Sequence, residues 1–125
     1  MTRLLVRLEH VAVLAVAAAL VLVNLPQLNW VHFLAVFAAI DLIGYVPGAI
    51  AQRRAGTGPI SPVFHCLYNF THSYLVAGLV VGVWALAIGG LEWAMLAAPI
   101  HLSIDRGLFG NTLKPTSLPF EPREA

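Results

Sequence analysis

Apolar residues in this chain do not alternate or recur at a fixed helical period. They run in long blocks separated by short polar punctuation. The stretch 11–23 holds no polar side chain at all. Four blocks approach or reach the roughly 20 apolar residues that a helix needs to cross a bilayer: residues 4–23, 30–50, 63–88 and 91–108. The breaks carry turn chemistry. Residues 24–29 contain Pro26, and Gly89-Gly90 divides the third block from the fourth. The one sizeable loop, residues 51–62, holds Arg53, Arg54, Gly56 and Gly58 and ends in Ser61-Pro62, an N-cap with proline at the first helical position. The pattern predicts an all-α fold: one integral-membrane four-helix bundle, with a polar tail over 111–125 whose Pro115, Pro119 and Pro122 suit no helix interior.

Composition moves the reading firmly into lipid. Of 125 residues 59% are apolar and 10% charged, where a soluble domain carries about 25% charged residues. That excludes a disordered chain, a nucleic-acid binder and an ordinary cytosolic enzyme. The net charge of +1 offers no bulk attraction to acidic partners. A single cysteine, Cys66, excludes an intramolecular disulfide and a multi-cysteine zinc site. All seven basic residues (Arg3, Arg7, Arg53, Arg54, Arg106, Lys114 and Arg123) fall on one side of a four-span arrangement, and only Glu92 is charged on the other. Both termini are therefore expected in the cytoplasm, with Trp30, Trp84 and Trp93 at the outer interface. A cleaved secretory leader over residues 1–23 is disfavoured, because Glu9-His10 interrupts its start and no clean Ala-x-Ala site precedes a mature polar domain.

Ionisable groups inside a membrane are costly and point to function. At about 1.5 Å per residue, Asp41 lies about 14 Å into its span, His72 about as deep, His101 about 10 Å and Asp105 about 5 Å. Glu9, His10, Tyr45, His65 and Asn69 share the same cytoplasmic half. His65, Asn69 and His72 form one i, i+4, i+7 stripe, and Asp41–Tyr45 and His101–Asp105 are i, i+4 pairs. Gly44 and Gly48 on the Asp41 stripe let a neighbouring helix come close. If the stripes face inward, the bundle encloses a polar pocket open to the cytoplasm.

Imidazoles and carboxylates are ligands for zinc, manganese or iron. The expected metal ligands are Asp41, His72, His101 and Asp105, supported by Asn69 and Tyr45. A bound divalent cation explains how such groups tolerate burial, and an open coordination position activates water for hydrolysis. Glu9 is then the expected general base, and Arg106 the holder of a phosphate or carboxylate. Each residue also has a plainer reading. Asp41 can serve as interhelical glue, and His101 with Asp105 as a local pair. His65 and His32 read as interfacial, His10 as snorkelling, Cys66 as inert packing, and Thr71 and Ser73 as bonded to helix carbonyls.

The motifs Leu4-Leu-Val-Arg-Leu-Glu9, Asp41 with Gly44-Tyr45, Tyr68-Asn69-x-x-His72-x-Tyr74, and His101-x-x-x-Asp105-Arg106 with Gly110 and Leu113-Lys114 occur in this order. Together they resemble a family of small four-span bacterial integral membrane proteins whose domain carries no assigned function. That family continues Gly-Tyr-Gly-Leu-Lys-Tyr and later Thr-His-Leu-Gly, whereas Phe109-Gly-Asn-Thr-Leu-Lys-Pro115 here is followed by no histidine. A second, partial likeness is to membrane proteins described as predicted metal-dependent hydrolases, through Asp41, Thr71-His72-Ser73 and His101-x-x-x-Asp105. Leu67 and Tyr68 stand where those carry His-Arg.

These resemblances imply a multi-pass protein of a bacterial inner membrane and a metal-dependent hydrolase. The expected partners are the lipid bilayer and a lipid-like or headgroup-bearing substrate, with no nucleic acid, and a homo-oligomer or larger membrane complex as the assembly. The competing expectation is a non-enzymatic bundle: a small transporter, a proton-coupled carrier using Asp41 and His72, or an accessory subunit of a membrane complex.

Overall fold

The computed structural model describes residues 1–121. Six α-helices follow one another: α1 (Thr2–Val23), α2 (Trp30–Gly44), α3 (Val46–Ala55), α4 (Pro62–Thr71), α5 (Tyr74–Ile88) and α6 (Ala97–Ser103). Short 3₁₀ turns occupy Leu25–Gln27 and Trp93–Leu96, and a π-helical turn occupies Ile104–Phe109. No strand occurs among the described residues, so the fold is all-α. Arg123 and Pro122 lie outside the described residues.

Two helices are long and apolar enough to cross a membrane, Thr2–Val23 and the 26-residue Trp30–Ala55; α4 and α5 add a third if the bent pair is one span. Their surfaces suit lipid. Helix α1 buries only Ala17 and Val21, and α5 buries none of its residues, leaving Leu75, Leu79, Val83 and Leu86 exposed. In water an apolar surface of this extent would drive association. In hydrocarbon it needs no protein cover.

Three of the four expected spans are less regular than their hydropathy suggests. The second breaks at Tyr45, between α2 and α3, where Pro47 lacks the N–H that would bond Ile43 and its ring crowds that carbonyl. The third, expected as one helix, is bent by 56° between α4 and α5. No proline or glycine marks the bend. Side chains compete with the helical ladder instead: the Thr71 hydroxyl reaches the Leu67 and Tyr68 carbonyls at 3.1 Å, and His72 Nδ1 bonds the Tyr68 carbonyl at 3.0 Å. The fourth is a 3₁₀ turn, seven residues of α6 and the π turn. Pro99 sits in the first turn of α6, where its missing N–H costs nothing. Gly110, at φ 71°, closes the π turn as the Asn111 N–H bonds the Asp105 carbonyl at 2.8 Å.

Two apolar clusters hold these pieces together. Ala17, Val21, Leu28, Ala94 and Ile100 form one, with Phe33, Phe37 and Trp84 packed on it. Ala49, Tyr68 and Phe120 form the other, with Tyr45, Ile60 and Phe64. The second cluster gives the tail a role that its proline content hides. Phe120 is fully buried, seated where Gly48 lacks a Cβ that would overlap its ring. Residues 111–121 are thus a strap folded back across α3 and α4. His65, expected at the interface, is buried, and its Nε2–H donates to the Leu118 carbonyl at 3.0 Å. Buried Gln52 accepts the Phe120 N–H at 3.3 Å. Gly44 has the role its stripe suggests: a Cβ there would overlap the Thr71 hydroxyl, so α2 and α4 meet at close range.

Candidate metal centre

Four side chains from four places in the chain meet at one point. Asp41 comes from the last turn of α2, one turn before the break at Tyr45. His72 caps the C-terminus of α4, at the bend. His101 lies within α6, and Asp105 follows one turn later in the π turn. The Nε2 of His72 is 3.3 Å from Asp41 Oδ1 and 3.2 Å from Asp105 Oδ2. The Nε2 of His101 is 3.4 Å and 3.5 Å from the same two oxygens. All four ligand atoms lie within 4.8 Å of one another. The group could hold a metal ion. Zinc bonds of about 2.0–2.2 Å set tetrahedral ligand–ligand edges at about 3.3–3.6 Å, the spacing of these imidazole–carboxylate contacts.

The hydrogen-bond pattern speaks to the same fit. His72 Nε2, His101 Nε2 and Asp105 Oδ2 are buried with no hydrogen-bond partner, despite their proximity to one another. Their polar directions converge on the space between them rather than along donor–acceptor lines. Such orphaned buried groups cost about 1–3 kcal/mol each, and a cation between them would satisfy all of them together. The imidazoles are packed accordingly. The His72 ring stacks on Tyr68 at 3.8 Å, and its Nδ1–H donates to the Tyr68 carbonyl, which leaves the Nε2 lone pair of the neutral ring free. His101 packs against Phe37 at 4.7 Å, with its Nδ1 unpartnered.

The quartet is closed on one side and open on the other. The His72 and His101 side chains are 4% and 5% exposed, whereas Asp41 is 46% exposed. It faces a cavity of about 480 Å³ whose lining includes Asp41, His72 and Asp105 together with Tyr45, Lys114 and Glu121. The Tyr45 hydroxyl donates to the Glu121 carboxylate. Burial pushes the Lys114 ammonium below the usual lysine pKa.

The remaining expected site residues sit elsewhere or act indirectly. Glu9 is exposed on α1 and does not line the cavity. Arg106 does not point into it either: its guanidinium donates to the His72 carbonyl at 2.9 Å and lies 4.8 Å from the Tyr74 ring centre. That carbonyl is freed by the end of α4, so Arg106 fixes the backbone of a quartet residue. Asn69 holds the strap by exchanging two hydrogen bonds with the Lys114 backbone, at 2.9 and 2.6 Å. Composition alone did not flag Tyr68, Gln52, Phe120 or Glu121. Tyr68 has a local signal, four residues before His72 on the same stripe. The strap residues have none, because their partners are more than 40 positions away in sequence.

No protein-family model matches the chain, and neither curated proteins nor solved structures yield a match.

Proposed function

We propose that this protein is a metal-dependent hydrolase of a bacterial inner membrane, built as a four-span bundle with both termini in the cytoplasm. Asp41, His72, His101 and Asp105 hold one divalent ion: zinc, manganese or iron. The observation that carries this reading is the convergence of three buried, partnerless ligand atoms on the exposed carboxylate of Asp41, beside a cavity. When bound, such an ion polarises a carbonyl or phosphoryl oxygen and lowers the pKa of a coordinated water to about 7. The two carboxylates balance the ion's charge, which favours a divalent cation in a water-poor site.

The chain's own residues then position and enclose. The Tyr68 carbonyl fixes the His72 tautomer, and Arg106 anchors the His72 backbone. Asp41 borders the cavity from which substrate arrives. A lipid-soluble or headgroup-bearing substrate suits a site framed by apolar helices. The polar motifs that resemble those of four-span bacterial proteins of unassigned function are also the ones that supply the quartet. The one-sided distribution of Arg and Lys supports the cytoplasmic termini.

The test is hydrolysis by purified protein of a panel of p-nitrophenyl carboxylate and phosphate esters, with zinc or manganese and with chelator. Turnover that needs metal and disappears in His101→Ala and Asp41→Asn supports the reading. A stoichiometrically metal-loaded protein inert on the whole panel contradicts the hydrolase assignment. Reporters fused at the two termini test topology separately; a periplasmic C-terminal signal would overturn the four-span arrangement. If no metal binds, the alternative is a carrier or accessory subunit in which Asp41 and His72 share a proton.

A further inference from the structure

We infer that the cavity beside the quartet binds a phosphoryl group, with Lys114 as its second point of attachment. This rests on the metal reading above for the first point. Among the described residues, Lys114 is the only lysine or arginine that lines the cavity. The strap holds it rigidly. Its backbone is locked by both hydrogen bonds of Asn69. Its ammonium lies 4.7 Å from the Tyr68 ring centre and 4.9 Å from that of Phe120, and donates to the Phe120 carbonyl at 2.7 Å. An ammonium has three protons to donate, and that bond uses one.

Tyr68 joins this cation to the quartet, because the same phenol ring stacks on His72 at 3.8 Å. A ligand in the cavity therefore meets both quartet residues and a fixed cation. A phosphoryl group fits that division, since its several acceptor oxygens can be shared between a metal ion and a point-like ammonium. The volume of about 480 Å³ falls within the range of small-molecule sites, about 300–1,000 Å³, so a group larger than phosphate itself can enter. Phe109 lines the same cavity and is 69% exposed, offering an apolar edge on which an acyl chain can lie. Arg106, the anion holder expected from sequence, is occupied by the His72 carbonyl and the Tyr74 ring. The acidic residues that share the cavity lining with Lys114 are Asp41, Asp105 and Glu121. Metal would neutralise the first two, and Tyr45 engages the third.

Titration calorimetry on the full chain in neutral detergent tests this, with metal content measured on every sample. The probes are inorganic phosphate and lysophosphatidate, each added to zinc-loaded protein. Lys114→Gln should weaken both probes about tenfold or more, the range of a charge-assisted hydrogen bond, at unchanged metal content. Lys114→Arg should stay within about threefold of wild type. Glu121→Gln removes an opposing charge and should tighten binding about threefold. It also keeps the inference falsifiable if Lys114→Gln does not fold. Tighter binding of lysophosphatidate than of phosphate assigns the phosphoryl group to a lipid; equal binding assigns it to a soluble ligand.

Wild-type affinity in folded, metal-loaded Lys114→Gln would overturn the inference, as would failure of both probes to bind the wild type or unchanged affinity in Glu121→Gln. If the wild type holds no metal, the proposed function fails on that measurement alone. Phosphoryl binding lost in Lys114→Gln would then still support the Lys114 site, and absence of binding would overturn it.

Discussion

Among the described residues, two sites pair histidine with carboxylate, and they are built on opposite principles. Near the ends of α2 and α5, His32 Nδ1 meets Glu92 Oε1 at 2.7 Å, an ordinary hydrogen bond between partly exposed groups. Trp84 packs edge-on to that imidazole at 5.6 Å. One donor meets one acceptor, and solvent or headgroups reach both. At the quartet two buried imidazoles face two carboxylates at 3.2–3.5 Å, and three of the four facing atoms have no hydrogen-bond partner. The strap docks beside the quartet on α3 and α4, with Phe120 as its buried anchor, and shares the lining of the cavity next to it. The same residue types thus make a self-satisfied latch in one place and an unsatisfied constellation in the other. The difference lies in direction as well as distance. The latch points its atoms at each other, and the quartet points them at a shared space.

The largest expected effect tests the strap beside the quartet. Phe120→Ala removes a fully buried ring and should destabilise the protein by about 3–5 kcal/mol, as seen when buried aromatics are truncated. Thermal or denaturant melts in detergent measure this. A near-neutral outcome would mean that the strap is not docked, and the cavity beside the quartet would then lack that part of its lining.

Next comes the ion itself. At a free metal concentration of 100 Kd, a ligand that binds only the folded state stabilises it by about 2.7 kcal/mol. His101→Ala and His72→Ala should each lose that increment, and the loss should be shared rather than additive, because either change dismantles one site. Melting of wild type and mutants with and without metal gives the comparison.

A smaller effect is expected at Arg106. Replacing it by Gln removes a charge-assisted bond to the His72 carbonyl and should cost about 1.5 kcal/mol, with weaker metal affinity as the readout that a merely structural role would not move.

The smallest effect belongs to the latch. His32→Ala or Glu92→Gln should change stability by about 0.2–1 kcal/mol and leave metal content untouched. A latch mutant that lost metal would erase the distinction between the two sites.

The quartet was legible in the sequence, and much of its surroundings was not. Asp41 and the His101–Asp105 pair announce themselves as ionisable residues in apolar runs, and the spacing of His65, Asn69 and His72 puts them on one face. What the spacing hides is that the stripe serves two purposes. His72 joins the quartet, while Asn69 and His65 turn their polar atoms to the strap backbone. The bend at His72 was also hidden, because hydropathy registers composition and the break comes from Thr71 and His72 bonding carbonyls of their own helix. The strap was read only as a polar tail. Its proline-rich composition says that it is not helical, and says nothing of a notch at Gly48 shaped for Phe120. Arg106 drew notice as a charge, but its partner is a carbonyl that exists only because α4 ends where it does.

The central claim is that the quartet, unlike the latch, is a metal site. Elemental analysis of wild-type protein, purified without added chelator and dialysed to remove loose ions, tests it most directly. One equivalent of a divalent metal per chain is predicted, retained in His32→Ala and absent from both His72→Ala and His101→Ala. A wild-type preparation with no stoichiometric metal, melting identically in chelator and in added zinc or manganese, would contradict it.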